Sequence, residues 1–184
     1  MAEANLLVNR MIRAARLDVE LYEEVEADTT ANIQALQAVI VASVASALGS
    51  GFLAIREEGL VWFAAWLPLS LISSIIGWLI WSGLTYLIGT TILRGPHTSA
   101  TYGELLRTIG FANSPWVLGF FIFIPFLGGL IYFIVWVWAI IAGVIAVRQA
   151  LDFSTWRAIF TTVAAIIPYI AIMSVVQWVV WTLF

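Results

Sequence analysis

Residues 60–93, LVWFAAWLPLSLISSIIGWLIWSGLTYLIGTTIL, run for 34 positions without a charged side chain. A helix rises about 1.5 Å per residue and the hydrocarbon core of a bilayer is about 30 Å thick, so about 20 apolar residues cross it. The run is too long for one upright span and too short for two. Pro68 divides it. Leu60–Leu67 reads as an interfacial piece with Trp62 and Trp66 at headgroup level, and the span proper covers about 69–93. Ser70, Ser73 and Gly77 give that span a small, weakly polar face.

Stretches of the same kind lie on both sides. Before it, Asp28, Thr29 and Thr30 supply a helix cap, a span covers about 33–54, and Arg56, Glu57 and Glu58 mark a loop. After it, Arg94, Pro96 and His97 form a loop, and Thr101 caps a helix beginning at Tyr102. The 40 uncharged residues 108–147 suit two spans, about 102–124 and 126–147. The first of these is kinked at Pro115, and Pro125 with Gly128-Gly129 signals the turn between them. Arg148, Asp152 and Arg157 form a polar loop with Trp156 as an interface anchor. A fifth span covers about 158–181, bent near Pro168, with Trp178 and Trp181 at its far end. The expected fold is all-α: a polytopic bundle of five transmembrane helices (residues 33–184) behind an amphipathic cytoplasmic helix (residues 1–32).

Composition agrees. The 184-residue chain is 62% hydrophobic and 10% charged, with mean hydropathy +1.01, whereas a soluble domain carries about a quarter charged residues. Lipid must therefore be its main solvent. A net charge of −3 excludes a nucleic-acid partner, which needs a basic stripe. With no cysteine there are no disulfides, thiolate metal sites or thiol redox chemistry. Arginines set the orientation. Arg10, Arg13, Arg16, Arg94, Arg107, Arg148 and Arg157 fall on one side of a five-span bundle and only Arg56 on the other. Basic residues collect on the cytoplasmic side, so the N-terminus is expected inside and the C-terminus outside. Seven acids precede the first long apolar run, unlike a secretory signal, so the first span is expected to stay as an uncleaved anchor.

Residues 3–27 read as one amphipathic helix. Leu7, Val8, Met11, Ile12, Ala15, Val19, Tyr22 and Val25 share a face. Its charges are segregated: Arg10, Arg13 and Arg16 first, then Asp18, Glu20, Glu23, Glu24, Glu26 and Asp28. This order opposes the helix dipole, so helix stability alone does not explain it. The basic half suits anionic headgroups, and the acidic half, repelled by them, can face a soluble partner. The alternative is a solvated helix packed on its own membrane domain. Asp18, Glu20, Tyr22, Glu23 and Glu24 are the candidate interaction residues here. A second candidate surface is the small-residue stripe Ala35, Ala38, Ala42, Ala45 and Gly49, which lets another backbone approach closely inside the bundle or at a subunit contact.

Chemistry-bearing groups are sparse. Glu104 and Arg107, at i and i+3, can pair with each other, and Asn113 and Gln177 are the mid-span polar residues besides hydroxyls. His97 is the single histidine and lies in a loop, too little for a metal or haem site. No catalytic, metal or cofactor residues are expected, and no small-molecule substrate. Trp78, Trp81, Trp136 and Trp138 lie deeper than interface anchors. They read as packing residues or as a contact for lipid, pigment or quinone.

Four stretches, RLDVELYEEVEAD (16–28), LTYLIG (84–89), YGELLRTIGFANSP (102–115) and VRQALDFSTWRAI (147–159), give the chain a resemblance to the Yip1 family. That resemblance implies a cytoplasmic N-terminal segment and five spans. Eukaryotic members serve membrane traffic, bind Rab-type GTPases and shape membranes. They carry Asp-Leu-Tyr-Gly-Pro before the first span and Gly-Tyr at the third. Here Leu21-Tyr22 is followed by Glu23-Glu24, and Gly110-Phe111 stands at the second motif. These departures and the short N-terminal segment resemble a prokaryotic relative in the inner membrane, and Rab binding is not carried over. The expected role is a non-enzymatic scaffold or adaptor that organises other membrane subunits in the bilayer. The alternatives are an accessory subunit of a photosynthetic or respiratory complex and, less favoured, a transporter or channel.

Overall fold

A computed structural model gives the fold and describes residues 2–95 and 98–183. Pro96 and His97 lie outside the described residues, as do the side chains of Arg56, Glu57 and Trp181. Among the described residues the chain is helical without strands: α1 (Ala2–Ala15), α2 (Val19–Ala27), α3 (Asn32–Glu58), α4 (Leu60–Leu87), α5 (Tyr102–Ala112), α6 (Gly128–Ala150) and α7 (Thr155–Leu183). Five segments are long and apolar enough to cross a membrane: Thr29–Phe52, Leu60–Ile92, Tyr102–Phe123, Gly128–Ala150 and Thr155–Val179. The chain is an all-α polytopic membrane protein.

The N-terminal segment is two helices rather than one. Leu17 adopts a left-handed conformation (φ 61°), and the Asp18 amide donates back to Arg13 O (3.1 Å), closing α1 as Schellman-type caps do. Asp18 then caps α2 by accepting from the Glu20 amide (3.1 Å). Neither glycine nor proline marks this turn, so periodicity carries straight through it.

Pro68 does not end a helix. It sits inside α4, and Leu60–Leu67 is continuous with the rest, which passes directly into a π-helical segment, Ile88–Ile92. The missing N–H of Pro68 leaves the Ala64 carbonyl, one turn back, without its usual intrahelical donor, a loss that membrane helices tolerate. Arg56–Glu58 is not a loop either: α3 runs through Glu58, and Gly59 alone reverses the chain with φ 89°, a backbone state that favours glycine.

The third crossing is composite. α5 gives way at Asn113 to a ten-residue 3-10 helix, Ser114–Phe123, with Pro115 in its first turn. Pro115 therefore changes the helix type rather than kinking an α-helix. Eleven α residues and ten 3-10 residues rise about 36 Å, enough to cross. The reversal into α6 uses Ile124–Leu127, with Phe126 left-handed (φ 65°). Gly128 opens α6 rather than forming the turn. Arg148 ends α6 and Arg157 begins α7, so the polar loop between them shrinks to residues 151–154.

The narrow 3-10 rod is held by α3. Ser46 Oγ donates to Trp116 O (2.7 Å), and a Cβ at Gly49 would collide with the carbonyl oxygens of Gly119 and Phe120. At the other end of α3, a Cβ at Gly110 would lie 2.7 Å from Ala35 Cβ. Backbones approach closely here because both partners lack bulk.

Candidate functional site

The helices bring α1, α2 and the ends of α3, α5 and α6 into one polar cap. Its most unusual member is Arg107. The side chain is buried (4% exposed), yet it does not pair with Glu104. Glu104 instead accepts from the Thr101 amide (2.8 Å) while Thr101 accepts from the Glu104 amide (3.4 Å), a reciprocal capping box. Arg107 reaches across to the end of α2. Its Nε donates to Val25 O (2.8 Å), and its terminal nitrogens donate to Glu26 O and to Asn32 Oδ1 (3.4 Å). The last carbonyls of a helix have no partner within it and carry the negative end of its dipole. A guanidinium, with five donors in a planar fork, satisfies them and keeps its charge compensated.

The charge order of the N-terminal segment now has a physical reason. Turning at Leu17 folds the basic half onto the acidic half. Arg10, also buried, pairs with Glu24 (2.8 Å) and Asp28 (2.9 Å) and donates to Gln34 Oε1 (2.8 Å) on α3. Arg13 pairs with Asp18 (2.7 Å) and Glu24 (2.6 Å). The two halves thus face each other instead of separate surroundings. The guanidinium of Arg13 holds the Asp18 carboxyl below its usual range. Burial works against the Glu24 carboxylate, but Arg13 and Arg10 together outweigh it and hold that group low as well.

Glu26 stands apart. Burial of its carboxyl, reinforced by Glu104, Asp152 and Glu23 and opposed by Arg107, raises its pKa to about 7. It is the one cap carboxylate pushed toward the neutral form among the described residues.

The candidate residues read from sequence separate into groups. Tyr22 is fully buried, donates to Ala14 O (3.3 Å) and packs inside the hairpin, and burial pushes its phenol well above the ordinary range. Asp18 and Glu24 are engaged in ion pairs. Glu20 and Glu23 are exposed, and Glu23 accepts from Gln149 on α6 (2.8 Å). Ala35, Ala38, Ala42 and Gly49 are buried and Ala45 half-buried, facing α5 and the 3-10 helix of the same chain. The cap also depends on two glutamines that sequence reading did not single out and on tryptophans it placed in another role. Gln34 and Gln149 are polar residues flanking spans, and Trp138, read as deep, donates from Nε1 to Ala15 O (2.8 Å) at the end of α1. Trp78 likewise donates to Leu106 O (3.0 Å). The available signal for Arg107 was its position among the apolar residues Leu105, Leu106 and Ile109.

The polar ends of the spans converge on this cap. Arg148 donates to Thr155 (3.4 Å) across the α6–α7 turn, and a Cβ on Gly95 would come within 2.5 Å of Arg157 Nη1. Five spans behind an N-terminal segment are the arrangement the Yip1 resemblance implies, and the Yip1 domain matches residues 21–178. The chain belongs to the Yip1 family. The match begins at Leu21 in α2 and takes in all five crossings, leaving α1 outside it. Among curated proteins and solved structures none matches the chain.

Proposed function

We propose that this Yip1-family protein is a non-enzymatic membrane scaffold or adaptor, working at the face formed by its N-terminal cap. The observation that carries this reading is the Arg107 clamp. It fixes α2 to the bundle, so the exposed carboxylates Glu20 and Glu23 stand at a set height and orientation over the membrane domain. Preorganised charge of this kind steers and registers a basic partner surface without an ordering cost at binding. Alongside it, α1 exposes an apolar flank of Val8 and Ile12 suited to the membrane surface. In this reading the cap lies on the cytoplasmic side of a prokaryotic inner membrane. Other membrane subunits then pack against the apolar outer faces of the bundle.

The test is extraction of the native protein in mild detergent followed by native mass spectrometry. A complex with another membrane protein, dissociated by the double change Glu20→Lys and Glu23→Lys without loss of the folded bundle, is the expected result. A stable lone monomer would count decisively against the scaffold reading.

A further inference from the structure

We propose that the half-open cavity between α4, α5, α6 and α7 binds a small lipid-soluble molecule, a flat ring bearing a carbonyl or hydroxyl oxygen. The cavity measures about 400 Å³, within the range of small-molecule sites. Trp78, Trp81, Trp116, Trp136 and Tyr169 line it. Trp78 has already committed its indole N–H to Leu106 O, so it contributes ring surface rather than a donor. Trp81 meets Tyr169 edge to face, with centroids 5.1 Å apart and planes at 83°. Walls of this kind favour a planar guest, which stacks on them, over a flexible chain.

Among the described residues, one fully buried polar atom of the wall has no partner. Thr162 is 5% exposed, and its hydroxyl forms no hydrogen bond in the protein. Its neighbour Thr161 shows the usual solution for a hydroxyl in a membrane helix, donating to Arg157 O at 2.9 Å. A buried hydroxyl left unpaired is costly, and threonine has two rotamers open to it in a helix, so turning Thr162 to meet an oxygen on the guest would satisfy it. Asn113 also lines the cavity. Its amide nitrogen donates to Ile109 O (2.8 Å), a bond that leaves its own carbonyl oxygen uncommitted and able to accept from a hydroxyl guest.

Access and shape fit the same guest. Ile140, Ile170 and Trp136 border the cavity and are exposed, and around a spanning bundle exposed apolar side chains meet hydrocarbon. The guest therefore arrives through the bilayer. The lining carries no charged side chain to bind an ion or a phosphate. Gly143 makes room for it, since a Cβ added there would meet nothing within 4 Å. Quinone-type and terpenoid-type ring ketones share the required chemistry.

Tryptophan fluorescence of the full chain in mild detergent tests this, using decylubiquinone as the ring probe and 1-bromodecane as a ringless probe of equal chain length. Saturable quenching is expected with decylubiquinone and only a partition-like, non-saturating response with bromodecane. Competition by carvone, a terpenoid ring ketone, then ranks the two ring types. Gly143→Leu is expected to abolish the saturable component by filling the open space. Thr162→Val, nearly isosteric, is expected to weaken decylubiquinone about tenfold while leaving thermal stability equal or higher. If Gly143→Leu fails to fold, the affinity of Thr162→Val decides alone. Saturation by bromodecane equal to that by decylubiquinone would overturn the proposal in favour of an acyl-chain groove. Unchanged quinone affinity in Thr162→Val would overturn it too.

Discussion

Glu26→Gln turns the chemistry of the cap into a measurable pH dependence. The Glu26 carboxyl titrates near 4.5 in the unfolded chain and is raised to about 7 in the fold, first by burial and then by Glu104, Asp152 and Glu23, with Arg107 opposing. Between those values the folded chain holds a proton that the unfolded chain has shed, so stability falls as pH rises through the window and levels off above it. The full displacement corresponds to about 3 kcal/mol. Glu26 is partly exposed, and solvent screening reduces this to about 1–2 kcal/mol. The lowered groups Asp18, Glu24 and Asp28 lose their contribution only as pH drops through their own depressed values, in more acid solution than this window. A glutamine stays neutral throughout. In mild detergent at about pH 8, Glu26→Gln should therefore unfold roughly 2–8 °C above wild type. At about pH 5, where Glu26 is protonated, the two should nearly coincide. A variant no more stable than wild type in alkaline solution, or one that keeps the wild-type slope between the two pH values, would refute this account of Glu26.

Arg107→Met removes the donors from the ends of Val25, Glu26 and Asn32 and should destabilise the protein by about 2–4 kcal/mol. Hydrogen exchange should show the loss concentrated in residues 19–27, whereas uniform exchange would contradict a local clamp. Gly49→Leu drives a side chain into the backbone of the 3-10 helix and should cost about 3 kcal/mol or more, while Gly129→Ala, whose Cβ meets open space, should be neutral within about 1 kcal/mol. Chemical denaturation of both variants in parallel separates a collision from a general glycine effect. The chain has no cysteine, so single cysteines at Arg16 and Glu58 can be labelled in intact cells and inverted vesicles, and opposite accessibility at the two sites is the expected outcome.

The bundle was legible because its determinants are long and redundant. Five apolar stretches, each of about 20 residues, survive any error at their ends. The local caps at Asp28 and Thr101 were legible for a different reason: each is written in adjacent residues whose chemistry is complete in sequence. What escaped reading was set by tertiary contact. Leu17 turns left-handed with no glycine to announce it, because Arg10 and Arg13 then meet Glu24, Asp28 and Asp18. Arg107 has a carboxylate at i−3 and ignores it, since Glu104 is held by Thr101 and the end of α2 presents open carbonyls. Pro68 and Pro115 look alike in sequence. One stays within an α-helix and the other opens a 3-10 segment that packs along α3, and nothing beside either proline in sequence distinguishes them.

The end of the molecule remote from the cap is closed in a way that makes the protein one-sided. A single glycine joins α3 to α4, and four residues join the third crossing to α6. The side chains around these reversals are apolar and uncovered: Leu60 at 67%, Val61 at 87% and Phe126 fully exposed. Apart from the Arg56–Glu58 tip of α3, such turns are dressed for lipid rather than water. These two turns give a soluble molecule little to hold, whereas the cap at the other end presents a fixed set of charges.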